Sequence, residues 1–404
     1  MAPYETDDST DTGEADELRS GRRRAARYIV PVTVVGVAAA TIGLVPALAD
    51  SGDPNLPKIT AQQLLDKVAK SDVQQLSGTV KISTDLGLPD LGGLESSLMS
   101  GATKSGDGSS ADPTTKLTEL ATGTHTLRVA ADGPDKQKVS LLENAAEYSL
   151  IHNGKDVWGY DSASNEVFHG TTAADASKSD ETRATPKGLT DEALKSVDDT
   201  TSVTVDGTEH VAGRDAYKLL IKPKQSGTTV GAISVAVDAK TGLPLKFTLT
   251  PASGGAAVVD VGFTQLSLAK PAASTFDFKT PKGAKVTTED SAEKAAPTPD
   301  RSTGSGPSEK SLSKGADDPT VLGKGWNSIA VFETGGQGIP SGSSSGGGDL
   351  GGFLSSLGDQ VKGSFGSGTV YSTRLVNALV TDDGKVYVGA VTKSALVKAA
   401  DAAK

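Results

Sequence analysis

The chain has 404 residues, with 47 Gly, 19 Pro, no Cys and a formal net charge of -10. Its length exceeds one typical domain, and a glycine-rich, aromatic-poor composition points to two modest folded parts joined by soft linkers. The negative charge argues against nucleic acid as a partner, and the lack of cysteine excludes disulfides, thiolate metal sites and a lipid-modified cysteine at a mature N-terminus.

Residues 1–27 form an acidic, then basic tail in which Arg22, Arg23, Arg24 and Arg27 directly precede an apolar run over residues 28–49. The run ends in Ala47-Leu48-Ala49, the small-x-small spacing of a peptidase site at Ala47 and Ala49. About 20 apolar residues just span a bilayer, so signal peptide and transmembrane anchor both stay open. Arginines on the tail side keep that side cytoplasmic. Everything after Asp50 is therefore expected outside the cytoplasm, secreted or held at the cytoplasmic membrane by residues 28–49.

"ITAQQLLDKVAKSDVQQLSG" predicts a helix with Thr60 as N-cap, Gln63 as its capping-box partner, and Leu64, Leu65 and Val68 on the apolar face. A strand over 79–84 leads into a Leu-rich stretch with Leu86, Leu88, Leu91, Leu94 and Leu98. Those leucines either fold back on the core or form a lid, for which Leu86, Leu88 and Leu91 are the candidates. From Thr124 onward, "THTLRVAA", "KQKVSLL", "EYSLIH", "KDVWGYD" and "NEVFHG" read as short strands separated by turn residues, an antiparallel meander rather than βαβ units. An Asn153-Gly154 turn puts Trp158 and Tyr160 on one face with Ile151.

A short helix is expected around 189–197, after which alternation resumes. Tyr217, Leu219 and Ile221 share one face, as do Ile233, Val235 and Val237, and then Leu245, Phe247 and Leu249. Lys218, Lys222, Ser234, Asp238, Lys246 and Thr248 fall on the opposite, wet side. Nine or ten strands by this reading outnumber the helices available to cover them, so part of the apolar face either lines a cavity or closes as a sandwich core. Residues 288–320 are a polar, Pro/Ser/Gly-rich linker. Residues 321–404 then read as a small α+β module: strands in "GWNSIAVFE", "TVYSTRLVNALV" and "KVYVGAV", Phe353, Leu357 and Val361 at helical spacing, and a final helix capped by Thr392.

Signals for chemistry are sparse. Gly342-Ser343-Ser344-Ser345-Gly346 matches G-x-S-x-G literally, but a Ser/Gly tract supplies neither the strained elbow nor the histidine that the chemistry needs. His125, His152, His169 and His210 lack metal-ligand spacing and are read as surface or edge residues. Asp198-Asp199 and Asp382-Asp383 are read as solvated turn residues. No catalytic residue, metal or cofactor is predicted, and an enzyme is not expected.

"QQLSGTV", "NGKDVWGYD", "VAGRDAYKLLIKPK", "AISVAVDAKTGLPLKFTL" and "STFDFKTPKGAKV", in that order after an export segment, resemble the LolA/LolB/RseB superfamily across residues 58–287. Its members fold as an open antiparallel half-barrel with a helical lid over a concave apolar face. They carry lipoproteins or lipids or, in RseB, regulate an envelope stress response. The resemblance implies a mainly β (α+β) half-barrel domain ahead of the small module, and non-catalytic binding of a lipid or lipoprotein acyl chain. The candidate lining is Trp158, Tyr160, Tyr217, Leu219, Ile221, Ile233, Val235, Val237, Leu245 and Phe247. The alternative it implies is an RseB-like regulator that binds the outer domain of a membrane anti-sigma factor. LolA-type carriers have a basic residue before a proline at the first long turn; this chain reads Ala130-Ala131-Asp132-Gly133-Pro134 there.

Overall fold

The computed structural model describes residues 53–87, 109–113, 116, 120, 122–171, 185–195, 197–288, 320–333 and 358–403. Residues 1–52 with Ala47 and Ala49, Leu88, Leu91, Leu94 and Leu98 of the Leu-rich stretch, linker residues 289–319, the Gly342–Gly346 match, Phe353 and Leu357 lie outside the described residues. No helix among the described residues is long and apolar enough to cross a membrane.

The first helix, α1 (Ala61–Ala69), starts as its sequence dictates. Thr60 Oγ1 accepts from the Gln63 backbone N–H at 3.2 Å, and Gln63 Oε1 accepts from the Thr60 N–H at 3.0 Å, so two otherwise orphaned donors are satisfied reciprocally. Two antiparallel meanders follow. The first is β1 (Gln75–Thr84), β2 (Gly123–Asp132), β3 (Lys136–Glu143), β4 (Ala146–Asn153), β5 (Asp156–Asp161) and β6 (Glu166–Thr171). After α2 (Pro186–Lys195), the second runs through β7 (Thr201–Val211), β8 (Arg214–Pro223), β9 (Val230–Asp238), β10 (Pro244–Pro251) and β11 (Val259–Ser267). A short β12 (Lys285–Thr288) pairs in parallel with β6.

The two meanders join edge to edge through β1 and β11, giving one twelve-stranded sheet in the order β12-β6-β5-β4-β3-β2-β1-β11-β10-β9-β8-β7. The sheet stays open, with β12 and β7 at its edges. The fold class is thus mainly β, an open antiparallel sheet with few helices, as expected.

Register decides which side chains share a face. Leu219, Val235, Phe247, Val261 and Ile82 are successive cross-strand partners, and the neighbouring row runs Phe263, Val80, Leu127, Leu141, Tyr148, Asp161. This inner face packs under the helices. Leu64 and Val68 of α1 and Ala193 of α2 join Tyr217, Leu219, Ile221, Ile233, Val235, Val237 and Phe247 in one buried cluster. Each such aliphatic contributes about 1.5–3 kcal/mol by leaving water. A second cluster holds Val80, Leu127, Val129, Leu141, Leu245, Val261 and Phe263, and Leu189 of α2 borders both.

Several local expectations are corrected. The β4–β5 turn places Gly154 and Lys155 between paired Asn153 and Asp156, so Trp158 faces Ile151; the faces themselves are as expected, because the slip is by two residues. The helix begins at Pro186 and ends at Lys195, and β7, whose polar alternation hid it, is an edge strand. Val361 lies in a strand, not a helix. Asp238 and His152 are buried at 1% and 3% exposure rather than wet. His152 Nε2 lies 2.8 Å from the Gly154 carbonyl oxygen. Arg214 Nε donates to Asp238 Oδ2 at 2.5 Å, and the Thr241 backbone and hydroxyl donate to Oδ1. Burial pushes the Asp238 carboxyl up, but the Arg214 and Thr241 hydrogen bonds outweigh it and hold it below the usual carboxylate range.

A six-stranded sheet closes the chain in the order β13 (Thr320–Leu322), β14 (Ile329–Glu333), β18 (Lys385–Gly389), β17 (Asn377–Thr381), β16 (Gly366–Ser372), β15 (Asp359–Gly363), with α3 (Lys393–Ala402) packing Leu396 and Ala400 against it. It is fastened to the large sheet. Thr229 N–H donates to Ala390 O at 2.9 Å, Thr392 N–H to Gly227 O at 2.8 Å, and Trp326 Nε1 to Thr201 Oγ1 at 2.9 Å. Arg374 holds Asp85 Oδ2 at 2.6 Å, while its N–H donates to Leu86 O at 2.8 Å.

A segment over residues 109–112 crosses the inner face at β4–β6. Tyr148 Oη donates to Ala111 O at 3.2 Å, and Glu166 accepts from Ser109 Oγ, Ser110 N–H and Ser110 Oγ at 2.9–3.0 Å and from Lys285 Nζ at 3.1 Å. The Ser110 N–H, with the Lys285 ammonium next in effect, lowers the Glu166 carboxyl to about 2. A depressed carboxyl stabilises the fold fully above its unfolded value, and that stabilisation is lost as pH falls through the folded value. Glu166→Gln is therefore expected to lower the urea midpoint at neutral pH, with the difference from the parent shrinking between about pH 4.5 and pH 2. At the β1–β11 junction, a Cβ on Gly78 would sit 2.3 Å from Gln265 O. Gly78→Ala is expected to cost about 1–3 kcal/mol in denaturant melts, because the backbone itself must move.

Candidate functional site

The inner face is not packed evenly. α2 lies over β9, β10 and β11, and beside its N-terminal end the face opens into a hollow of about 350 Å³. Its apolar wall comes from Val73, Leu76, Val129, Val139, Leu243 and Phe263. Pro134 and Ala131 reach it from the β2–β3 end, and Thr185 and Lys187 from the start of α2. The volume falls at the lower end of the ~300–1,000 Å³ common for ligand pockets.

Its shape follows from local sequence. On the inner face β2 ends in Ala131, whose small side chain leaves room where Leu127 and Val129 fill it earlier along the strand. The Asp132-Gly133-Pro134 turn closes that end, with Gly133 at φ 81° and its N–H donating to Gln74 O at 2.8 Å. Lys270 Nζ and Gln75 Nε2 donate to the Asp132 carboxylate at 3.1 Å and 2.9 Å, so Lys270 first and Gln75 second hold this carboxyl below the usual range. Polar groups at the rim are Gln74, Gln137 and Lys187, the last paired with Asp191 at 2.5 Å.

The ten side chains expected as a cavity lining separate into groups. Tyr217, Leu219, Ile221, Ile233, Val235, Val237 and Phe247 come together on the inner face, packed beneath α1 and α2, with Tyr217 Oη donating to Pro57 O at 2.9 Å. Leu245 sits at a register shift in β10 and packs in the neighbouring cluster. Trp158 and Tyr160 lie on the outer face: their rows run through Ile151 and Lys138, and through Ser149, Ser140 and Arg128. There Trp158 stacks on His169 with ring centroids 3.8 Å apart and meets Phe278 at 5.2 Å. None of the ten borders the hollow. Of the candidate lid, Leu86 is half-buried beside Arg374.

The hollow can exclude water from an apolar chain and little else. Its rim carries amides, a hydroxyl and one ammonium group but no carboxylate-histidine or nucleophile-base pair. Elsewhere His169 meets Asp156 at 2.9 Å and His210 meets Asp215 at 3.0 Å, both at the surface. Among the described residues no three His, Asp or Glu are grouped to hold a metal ion.

Sequence reasoning passed over Val129, Val139 and Phe263 because alternation marks a face, not its uncovered part. A usable signal was Ala131 before a turn, a small residue two positions after Val129 on an otherwise bulky face.

No protein-family model matches the chain, and no curated protein does. Solved structures do match. The chain is similar to the Pseudomonas aeruginosa MucA/MucB complex structure at 16% identity over 84% of this chain and 96% of that one, with a TM-score of 0.38. An uncharacterized conserved protein from Thermus thermophilus is similar at 15% identity over 56% and 98%, with a TM-score of 0.31. A LolA superfamily protein from Nitrosomonas europaea is similar at 12% identity over 55% and 99%, with a TM-score of 0.21.

Proposed function

We propose that this chain is a non-catalytic, extracytoplasmic protein that binds a lipid or lipoprotein acyl chain in the inner-face hollow. The observation that carries the reading is the 350 Å³ space walled by Leu76, Val129, Val139, Leu243 and Phe263 between the sheet and α2. Burial alone supplies the affinity, at about 0.8 kcal/mol for each CH2 removed from water, so no covalent step is needed. A chain entering past Pro134 runs toward Leu243 and Leu189. Beyond these begins the packed group of Tyr217, Leu219, Ile221, Ile233, Val235, Val237 and Phe247, which sets the inner end of the site. The segment over residues 28–49 directs export, cleaved after Ala49 or kept as an anchor.

The fastening of a second sheet to the first is more than burial of a ligand requires, and it supports a second reading: a regulator in which the lipid site informs a contact with a membrane-bound partner. Pull-down from membranes with and without added lipid separates the two, since lipid-dependent capture of one partner is expected of a regulator alone.

Ala131→Trp places an indole in the hollow without touching the packed cluster. It is expected to weaken binding of a fluorescent fatty acid about tenfold or more while leaving the melting temperature near that of the parent. Native mass spectrometry of the purified chain is expected to show bound lipid released by organic extraction. A chain that is repeatedly empty, and indifferent to Ala131→Trp in the fluorescence assay, overturns the reading.

A further inference from the structure

The outer face carries a second hollow, of opposite character. After β11 the chain returns across this face. Asn153 Nδ2 donates to Phe276 O at 3.3 Å, and Phe278 meets Trp158 and Tyr160. Beside that returning segment a groove of about 560 Å³ runs across five neighbouring strands, β4, β3, β2, β1 and β11, with Thr275 of the returning chain on its border. Register places its side chains in two rows. One is Gln265, Thr79, Arg128, Ser140 and Ser149; the other begins Ser267, Ser77, Ala130, Lys138.

Beside Val129, Ala130 and Leu266, the groove is lined by hydroxyls, one amide and charges. Ser140 and Ser149, 2% and 6% exposed, bond each other at 2.8 Å, and Ser149 Oγ donates to Glu147 Oε1 at 2.9 Å. That chain of bonds aims Glu147 across the groove toward Arg128, whose Nη1 stays 3.7 Å from Glu147 Oε2, short of a hydrogen bond. The Lys138 ammonium makes no ion pair or hydrogen bond with the described residues. Two cations against one carboxylate leave the lining net positive on a chain that is net negative. An acyl chain gains nothing among Ser77, Thr79, Ser140 and Ser267, because it would strip water from hydroxyls and return no hydrogen bond. A polyol supplies both donors and acceptors to hydroxyl and amide side chains, and an anionic group on it pairs with Arg128 and Lys138.

We infer that the outer-face groove is a second binding site, distinct from the acyl-chain site, which takes an acidic glycan, an extended hydroxyl-rich chain bearing carboxylate or phosphate groups. The two hollows share only Val129, Ala130 and Lys138, where β2 and β3 separate them. The inference stands whether or not the inner hollow binds lipid.

Isothermal titration of the full chain with oligogalacturonate, with poly(glycerol phosphate) and with neutral dextran tests it. At least one acidic polymer is expected to bind, weakening as salt is raised, with dextran about tenfold weaker or silent; which of the two binds tells carboxylate from phosphate. Arg128→Ala combined with Lys138→Ala is expected to reduce that binding about tenfold, Glu147→Gln to strengthen it, and Ala131→Trp to leave it unchanged. These are exposed or half-buried outer-face positions, so melting curves near the parent's are expected, and Lys138→Gln repeats the test with the stem intact. Silence with both acidic polymers overturns the site. Equal binding of dextran overturns the anionic class, and binding that survives loss of both cations overturns the location.

Discussion

The pairing of β1 with β11 is the interaction on which the rest of the structure depends. Each meander is held by local hairpins, but β1 and β11 are separated by about 180 residues of chain, and only this seam turns the two halves into one sheet. Its geometry is tight. The register shifts by one residue after Thr79, and Gly78 lets the Gln265 carbonyl approach where any side chain would collide. The extra residue of a bulge increases local twist and re-aims its neighbours, and both hollows lie along this seam. Leu76 and Phe263 wall one; Ser77, Thr79 and Gln265 floor the other.

The two faces divide the chemistry. On the inner side, α1 and α2 cover the second meander so fully that Leu219, Ile221, Val235 and Val237 are closed to solvent, while among the described residues the first meander is covered only in part, by the segment that Glu166 and Tyr148 hold down. Incomplete cover beside a well-packed layer is what leaves a stable apolar cavity, because the packed half carries the folding energy and the open half need not. On the outer side, Trp158, Tyr160, Phe276 and Phe278 anchor the returning chain, and the polar rows beside it stay open.

The contacts that join the second sheet to the first include the β-bridge Thr228–Val391, the Trp326 indole on Thr201, and Arg374 on Asp85 and Leu86. Arg374 grips the chain where the Leu-rich stretch leaves β1.

By itself the sequence determined the strands of both meanders other than β7, the capping box at Thr60 and Gln63, the alternation that sends Leu219, Val235 and Phe247 to one side, and the face shared by Trp158, Tyr160 and Ile151. These are short-range matters of turn chemistry and a period of two, and a pairing slip of two residues leaves them intact. Only the tertiary structure decided that Trp158 looks away from the apolar layer, that Asp238 is buried against Arg214, and that the cavity wall is Leu76, Val129, Val139 and Phe263 rather than the bulkiest alternating residues. Those outcomes depend on which strands become neighbours across the β1–β11 seam and on where α2 comes to rest. Both are set by contacts far apart in the chain, which periodicity does not encode.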